Sequence, residues 1–477
     1  MSMGKREDKQ QPLWVAAPEL PRSAGHRFYE KLNDLLREAD FDQQVEALCQ
    51  RFYEADGTGG RPSIAPGMYF RMLFVGYFEG IESERGLAWR CSDSLSLRDF
   101  LGLLPQESVP DHSSLSRIRT RLDGAVYEEV FRLVLAIVEK KGLLRGKVAG
   151  VDSTYLRADA SMKTIVRRDT EQSYQDYLKK LCQEQGIENP TVEDGRRIDR
   201  KRKGKRTSNK DWKSKTDADA RIARLKDGRT RLAYKAEHVV DMQTGAILAA
   251  EIHHADEGDT ATVHANLDKA RENIAAAKKD KDARCDDDEP PAPTSPTRTM
   301  EVVTDKGYHK AELLQELKNK RYRTYISVPK QEGERRWGDK GGYFTARTFY
   351  ANRNRVTSPK GKALLRRRGE LLERTFAHAC ETGGHRRVRL RGRENVRKRY
   401  LLQVAAVNLG LVMRTLLGQG TPRQDAEARK GRFALVLVLW AVVKAVIGFA
   451  RRAAARVWDA PWPTVVGPER QLPAVAG

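Results

Sequence analysis

The chain has 477 residues, enough for two or three domains and at least one sizeable core. Its 88 Lys and Arg outnumber 65 Asp and Glu for a formal charge of +23, an excess that draws in polyanions and speeds encounter with them. The five cysteines, Cys49, Cys91, Cys182, Cys285 and Cys380, include no CxxC pair; this sets aside a zinc site and a disulfide framework and fits a reducing cytosol.

Residues 1–24 are expected to form a flexible amino-terminal segment. Met1 to Gln11 is polar and charged, without the apolar core of a secretory signal. Residues 25–145 carry helical rhythm. Phe28, Leu32, Leu35 and Leu36 make an apolar stripe, Gly57 to Pro66 interrupts it, and Pro66 opens a strongly apolar helix. Pro110 and Asp111 then precede a helix over about 113–122. Its inward residues are Leu115, Ile118 and Leu122. Arg117 and Arg121 share another face with Arg119 nearby, as in the recognition helix of a helix-turn-helix. The alternative is an ordinary amphipathic helix with its arginines in water.

From 146 to 418 the pattern changes to mixed α/β. A short strand at 147–152 ends on Asp152, and residues 160–230 form a polar, basic insertion. LAYKAEHVVDM and AILAAEIHHA read as a hairpin around Gln243, Thr244 and Gly245. A helix over 260–279 and a proline-rich acidic loop (about 280–299, expected to be disordered) lead to the strand MEVVTD, which ends on Asp305. A helix, the strand TYISV and a long helix from about Lys362 follow. This order predicts a ribonuclease-H-like mixed sheet flanked by helices, with its first and fourth strands side by side. Asp152 and Asp305 would then meet at one sheet edge. Residues 419–477 form a tail whose apolar stretch, Phe433 to Ala450, is interrupted by Lys444; it reads as a buried or amphipathic helix, with membrane association as the lesser alternative.

Two strand-end carboxylates in a basic chain suggest metal-assisted displacement at phosphate. Two Mg²⁺ (or Mn²⁺) ions roughly 3.5–4 Å apart can serve both the attacking and leaving oxygens. A third carboxylate is expected from the long helix. Leu365, Leu372, Phe376 and Ala379 fall within about 60° of one another and define its buried stripe. Glu373 lies at the margin, roughly 80° from Leu365, and Glu370 lies further toward solvent. Glu373 could instead only pair with a neighbouring arginine. Asp241, Asp256 and Asp259 compete for the role but suit turns and caps, and the histidines show no metal-ligand spacing.

Two basic runs are candidate phosphate contacts: Arg196 to Lys215, with Lys201, Arg202, Lys203, Lys205 and Arg206, and His385 to Arg399, with Arg386 and Arg387. Trp212, in the first run, could pack internally or stack on a base.

The segments RPSIAPGMYFRMLFVGYFEG and PDHSSLSRIRTRL resemble the amino-terminal domain of InsH-type bacterial insertion-sequence transposases. GVDSTYLRADASMKT, VVTDKGYHKAELL and ELLERTFAHACETGGHRRVRLRGRENVRKRYLLQVAAVNLGLVMR resemble their DDE domain. The resemblance implies Asp152, Asp305 and Glu373 as catalytic, metal-holding residues and double-stranded DNA, at element ends and target, as partner. It also implies cleavage followed by strand transfer; because two DNA ends must be handled together, a homodimer is expected in the active complex, with a cytoplasmic, nucleoid-associated location and no membrane. Related transposases place tyrosine, arginine and lysine around the glutamate (Y-x2-R-x3-E-x6-K). Here those positions hold Arg366, Gly369 and Cys380, so Arg366, Arg367 and Arg374 are the candidates for the missing phosphate contacts. A nuclease that hydrolyses without joining, or a DNA-binding protein without catalysis, are the alternative functions.

Overall fold

The computed structural model describes residues 26–53, 63–187, 189–201, 208–282, 299–330 and 342–428. The predicted acidic loop at 285–298, the basic residues 202–206 and the apolar stretch 433–450 lie outside them.

Among the described residues, seven helices open the fold: α1 (His26–Arg37), α2 (Phe41–Cys49), α3 (Pro66–Glu79), α4 (Glu84–Ser92), α5 (Leu95–Phe100), α6 (His112–Arg121) and α7 (Gly124–Lys140). Helix α3 is apolar nearly all round and is buried from Tyr69 through Phe78, as such a helix must be. Pro66 stands in its first turn, and Gly80 ends it at φ 69°, a left-handed position that glycine adopts without strain. The predicted stripe Phe28, Leu32, Leu35 and Leu36 is buried.

The remaining elements are β1 (Val148–Arg157), β2 (Ile165–Arg167), α8 (Tyr174–Glu184), α9 (Val192–Lys201), α10 (Ser208–Asp211), β3 (Trp212–Ser214), β4 (Arg221–Arg224), β5 (Thr230–Asp241), β6 (Ile247–His254), α11 (Asp259–Asp282), β7 (Met300–Thr304), α12 (Ala311–Asn319), β8 (Tyr322–Ile326), α13 (Gly342–Thr357), α14 (Pro359–Ala377) and α15 (Arg393–Leu417). The main sheet runs β4-β5-β1-β7-β8, with β6 also on β5. β5 and β6 form the predicted hairpin and are antiparallel to each other, as are β1 and β5, whereas β1, β7 and β8 are parallel. In the series β1, β5, β6, β7 the first and fourth strands are therefore neighbours, as the sequence predicted.

Three expectations change. Strand β1 does not end on Asp152 but continues to Arg157, because β5 pairs with it as far as Arg157↔Ala233. Beyond the end of β7 its other side is met by the returning chain, where Arg157 N donates to Arg386 O at 3.1 Å and Val388 N to Arg157 O at 2.9 Å. In the basic insertion, the described residues fold into α8–α10 and the β2–β3 ribbon. Trp212 packs there between Tyr174 and Tyr177 at 5.0 and 5.3 Å, only 5% exposed, so its ring is not available to a base. Helix α13, absent from the predicted pattern, precedes α14.

One hydrophobic core runs through both halves, from Phe28 to Met413. Helix α15 passes through it. The stretch Arg393–Ala428 is long and apolar enough to cross a membrane, but 67% of its apolar window is buried inside the fold. Arg397 on α15 ties the halves together: its Nε lies 2.7 Å from Glu251 of β6, and it also pairs with Glu128 of α7. Lys269 of α11 joins the same two carboxylates. Such a network holds one geometry, because removing a member strands a buried charge.

Candidate active site at the carboxyl edge of the sheet

β1 and β7 pair as Val148↔Glu301, Ala149↔Val302 and Gly150↔Val303. Two residues further along this register, Asp152 and Asp305 come level. Asp152 shares the face of Gly150 because side chains alternate along a strand. That face is covered by α14: a Cβ on Gly150 would lie 2.7 Å from Leu372 Cδ1 and 2.6 Å from Met242 Sδ, so only glycine admits the helix so closely.

The Asp152 side chain is 24% exposed. Its Oδ1 accepts from Ser153 N at 2.8 Å, and its Oδ2 from Arg368 Nη1 of α14 at 2.9 Å. Burial pushes the Asp152 carboxyl above its usual range; Arg368 and the Ser153 amide oppose that shift, and neighbouring Asp305 adds to it. Asp305 caps the turn Lys306–Tyr308 by accepting from Gly307 N at 2.8 Å, so the capping role coexists with its place beside Asp152.

On the opposite face lies a polar cluster that the sequence reading missed. Glu237 of β5 is fully buried and accepts from Tyr308 Oη at 2.8 Å, Thr262 Oγ1 at 3.0 Å and Asn266. Burial raises its pKa to about 7. Lys235 donates to Glu257 O at 2.7 Å and to Asp259 Oδ1 at 3.3 Å, and Ser153 Oγ reaches the same Asp259 oxygen at 3.0 Å. The signal was present in LAYKAEHVV, where Lys235 and Glu237 occupy alternate positions of an otherwise apolar strand.

The third carboxylate stands apart. Leu372 faces the sheet and is buried, and Glu373 is turned about 100° from it. Glu373 is exposed and makes no ion pair among the described residues, whereas Glu370 pairs with Arg374 at 2.6 Å. Among the described residues no three His, Cys, Asp or Glu side chains gather closely enough to hold a metal ion. Asp152 and Asp305 nevertheless suit a hard divalent cation. Both offer carboxylate oxygens at one half-buried edge, and a cation, the Arg368 guanidinium, already stands on Asp152.

Comparison with known families places two matches along the chain. Residues 19–121 match the family described as Transposase domain (DUF772), and residues 194–409 match the Transposase DDE domain. The chain belongs to the DDE transposase family. It is a DNA transposase of an insertion sequence, and the InsH-type resemblance fits this. The DDE match includes Asp305 and Glu373 and begins after Asp152. No curated protein and no solved structure matches the chain.

The other predicted residues of the transposase fall into distinct settings. Asp111 caps α6 by accepting from Ser114 N at 2.8 Å, as predicted. Arg117 and Arg121 are exposed and line a groove of about 690 Å³ with Asp111 and Met68, and Arg121 also lies over the Tyr53 ring at 4.7 Å. Arg119 differs: its side chain is 14% exposed and paired with Glu84, so it braces α6 against α4. Lys398 of α15 donates to Leu122 O at 2.8 Å, holding the carboxyl end of α6. Lys201 and Arg366 are exposed. Arg374 and Arg386 are exposed and paired with Glu370 and Glu381, and Arg387 lies 2.8 Å from Asp159. Asp241 accepts from the amides of Arg145 and Gly146 at 2.7 Å each and is a buried turn former. Asp256 is a surface residue 3.8 Å from Arg221. His238 is structural, with Tyr400 Oη at 2.7 Å and Phe376 stacked at 4.1 Å.

Proposed function

We propose that this transposase binds the ends of its element and catalyses Mg²⁺-dependent (or Mn²⁺-dependent) DNA cleavage followed by strand transfer. The observation that carries this reading is the register of β1 and β7, which brings Asp152 and Asp305 level at one sheet edge. Glu373 completes the set by family position. Its side chain stands on the helix that crosses Asp152, about 140° around it from Arg368, so bringing it to the pair requires α14 to rearrange when DNA binds.

Two divalent ions held by Asp152, Asp305 and Glu373 would supply Lewis-acid activation of the attacking oxygen and charge relief at the leaving one. The chain's own residues do the rest. Asp152, within β1, and Asp305, just past β7, would hold the ions against which the scissile phosphate is oriented. Arg368 balances the Asp152 charge while the site is empty of DNA and is free to meet a phosphate oxygen once displaced. Water opens the element end to a 3′-hydroxyl, which then attacks target DNA, and no covalent protein intermediate is needed. The exposed Arg117 and Arg121 are the α6 contacts to element ends, with Lys201, Arg202, Lys203, Lys205, Arg206, Arg366, Arg374, Arg386 and Arg387 as further phosphate contacts. Two ends must be handled together, so a homodimer acts, on nucleoid DNA in the cytoplasm.

A strand-transfer assay with end-bearing duplex and plasmid target tests the reading. Joined products under Mg²⁺ are expected, with none from Asp152→Asn. Cleavage without joining would leave a nuclease, and binding without cleavage a catalytically silent DNA-binding protein.

A further inference from the structure

Each aspartate of the pair is oriented by a backbone amide: Ser153 N donates to Asp152 Oδ1 at 2.8 Å, and Gly307 N donates to Asp305 Oδ1 at 2.8 Å. Both amide-bearing residues also touch one further side chain, Asp259. It opens α11, a place that suits a capping carboxylate, but its Oδ1 accepts from the Ser153 hydroxyl at 3.0 Å. Its Oδ2 lies against Gly307, where a Cβ would stand 3.0 Å from it and 3.1 Å from Asp305 Oδ1. A side chain at 307 would therefore crowd both carboxylates. Asp259 is itself fixed from β5. Lys235, 2% exposed, donates to its Oδ1 at 3.3 Å, to Thr262 Oγ1 at 3.2 Å and to Glu257 O at 2.7 Å. These acceptors engage all three donors of the ammonium, which holds it in one geometry and offsets the negative charge beside the pair. Tyr308, last residue of the turn that Asp305 caps, is anchored on the same side by Glu237 at 2.8 Å.

We propose that Asp259 is the positioning residue of the carboxylate pair. This role rests on the reading that Asp152 and Asp305 hold the metal ions. Asp259 itself meets neither the ions nor the phosphate. It holds the Ser153 hydroxyl and backs Gly307, and so fixes the two amides that aim the aspartates. Without that grip Ser153 can turn, and its amide no longer sets the Asp152 carboxylate. One side chain thereby couples the end of the β1–β7 pairing to the turn after β7 and keeps the two aspartates at a fixed separation. Groups that orient metal ligands typically govern metal affinity or activity by about 10–100-fold. A misplacement of about 1 Å in a reacting geometry can cost about 100-fold in rate.

The test compares full-length Asp259→Ala, Asp259→Asn, Ser153→Ala and Ser153→Thr with the parent and with Asp152→Asn. Mn²⁺ affinity is titrated calorimetrically without DNA, and cleavage of end-bearing duplex is resolved into kcat and KM. The two alanine variants should each weaken Mn²⁺ binding and lower kcat about 10–100-fold, with KM nearly unchanged. Asp259→Asn keeps the acceptor and Ser153→Thr keeps the hydroxyl, so both should recover most of the loss. The double alanine variant should be no worse than Asp259→Ala, because Ser153 acts only through that contact. Parental Mn²⁺ affinity and kcat in both alanine variants, beside an inactive Asp152→Asn, overturn the positioning role alone. An active Asp152→Asn with undiminished Mn²⁺ binding overturns the carboxylate pair, and the role of Asp259 with it. Asp259→Asn as damaged as Asp259→Ala would make the charge itself the requirement and also overturns positioning. If Asp259→Ala does not fold, the two Ser153 variants decide, since they change one half-buried side chain on a strand.

Discussion

Arg368 reaches from α14 to Asp152, 216 residues earlier in the chain, and sets its Nη1 2.9 Å from the carboxylate. Its side chain is 14% exposed, and its Nε is buried without a hydrogen-bond partner among the described residues. A protein cation therefore stands where the proposed chemistry needs a divalent one. Arg368→Gln should bind Mn²⁺ roughly tenfold tighter, the equivalent of about 1.4 kcal/mol of relieved competition. Calorimetric titration of the protein without DNA measures this. Equal affinity in the two proteins would mean that the ion does not meet Asp152 Oδ2.

The carboxylates themselves separate by role. Asp152→Asn and Asp305→Asn should each lower cleavage at least about 100-fold while leaving end binding within a factor of two or so, because a lost metal ligand affects chemistry rather than the distant arginines. Glu373→Gln should match them. Glu370→Gln should not, since Glu370 is engaged with Arg374 on the exposed face of α14. A cleavage assay beside gel-shift binding decides the third member, and a normal Glu373→Gln enzyme would remove it from the site.

Much of this edge could be read from the chain, and the reasons differ by residue. Asp152 and Asp305 were visible because each follows a short apolar run, and the element order brought their strands together. The continuation of β1 to Arg157 was hidden because STYLR is neither a continuous apolar run nor a strict alternation, and its pairing comes from β5 and from the chain at 386–388, far away in sequence. The stripe predicted for the long helix included Leu372 on α14 and Ala379 in the π turn His378–Thr382 that follows it, both buried. Arg368 lies on that stripe too, about 40° from Leu372, and a basic residue among apolar ones hints at a buried anionic partner. Local spacing could not say which one. Sequence spacing grouped Arg117 with Arg121 and put Arg119 near them, although a wheel sets Arg119 about 160° from Arg121, and in the fold Glu84, from another helix, captures it.

That capture has a measurable consequence. Arg117→Ala and Arg121→Ala should weaken DNA binding about uniformly across sequences and reduce the salt slope by about one each, with little change in stability. Arg119→Ala should instead destabilise the fold by about 3 kcal/mol, since it leaves Glu84 part-buried and unpaired. Denaturant unfolding and salt-dependent binding, measured on the same proteins, separate the two effects. A pure binding loss in Arg119→Ala would place that residue on the DNA.

Glu237 supplies a pH signature. Burial raises its folded pKa from the ordinary 4.5 to about 7, so the folded state holds a proton that the unfolded chain releases. The stability this provides is fully present below about pH 4.5 and is lost as pH rises toward about 7, because the unfolded state binds fewer protons across that window. Glu237→Gln cannot ionise and should lack this loss. The stability difference between parent and variant should therefore shift against the parent by on the order of 3 kcal/mol between pH 4.5 and 7 and stay level above it. Paired denaturant titrations across that range measure the difference directly, with other titrating groups cancelling between the two proteins. A constant difference would mean that Tyr308, Thr262 and Asn266 keep Glu237 ionised throughout, with the nearby Lys235 ammonium as its counter-charge.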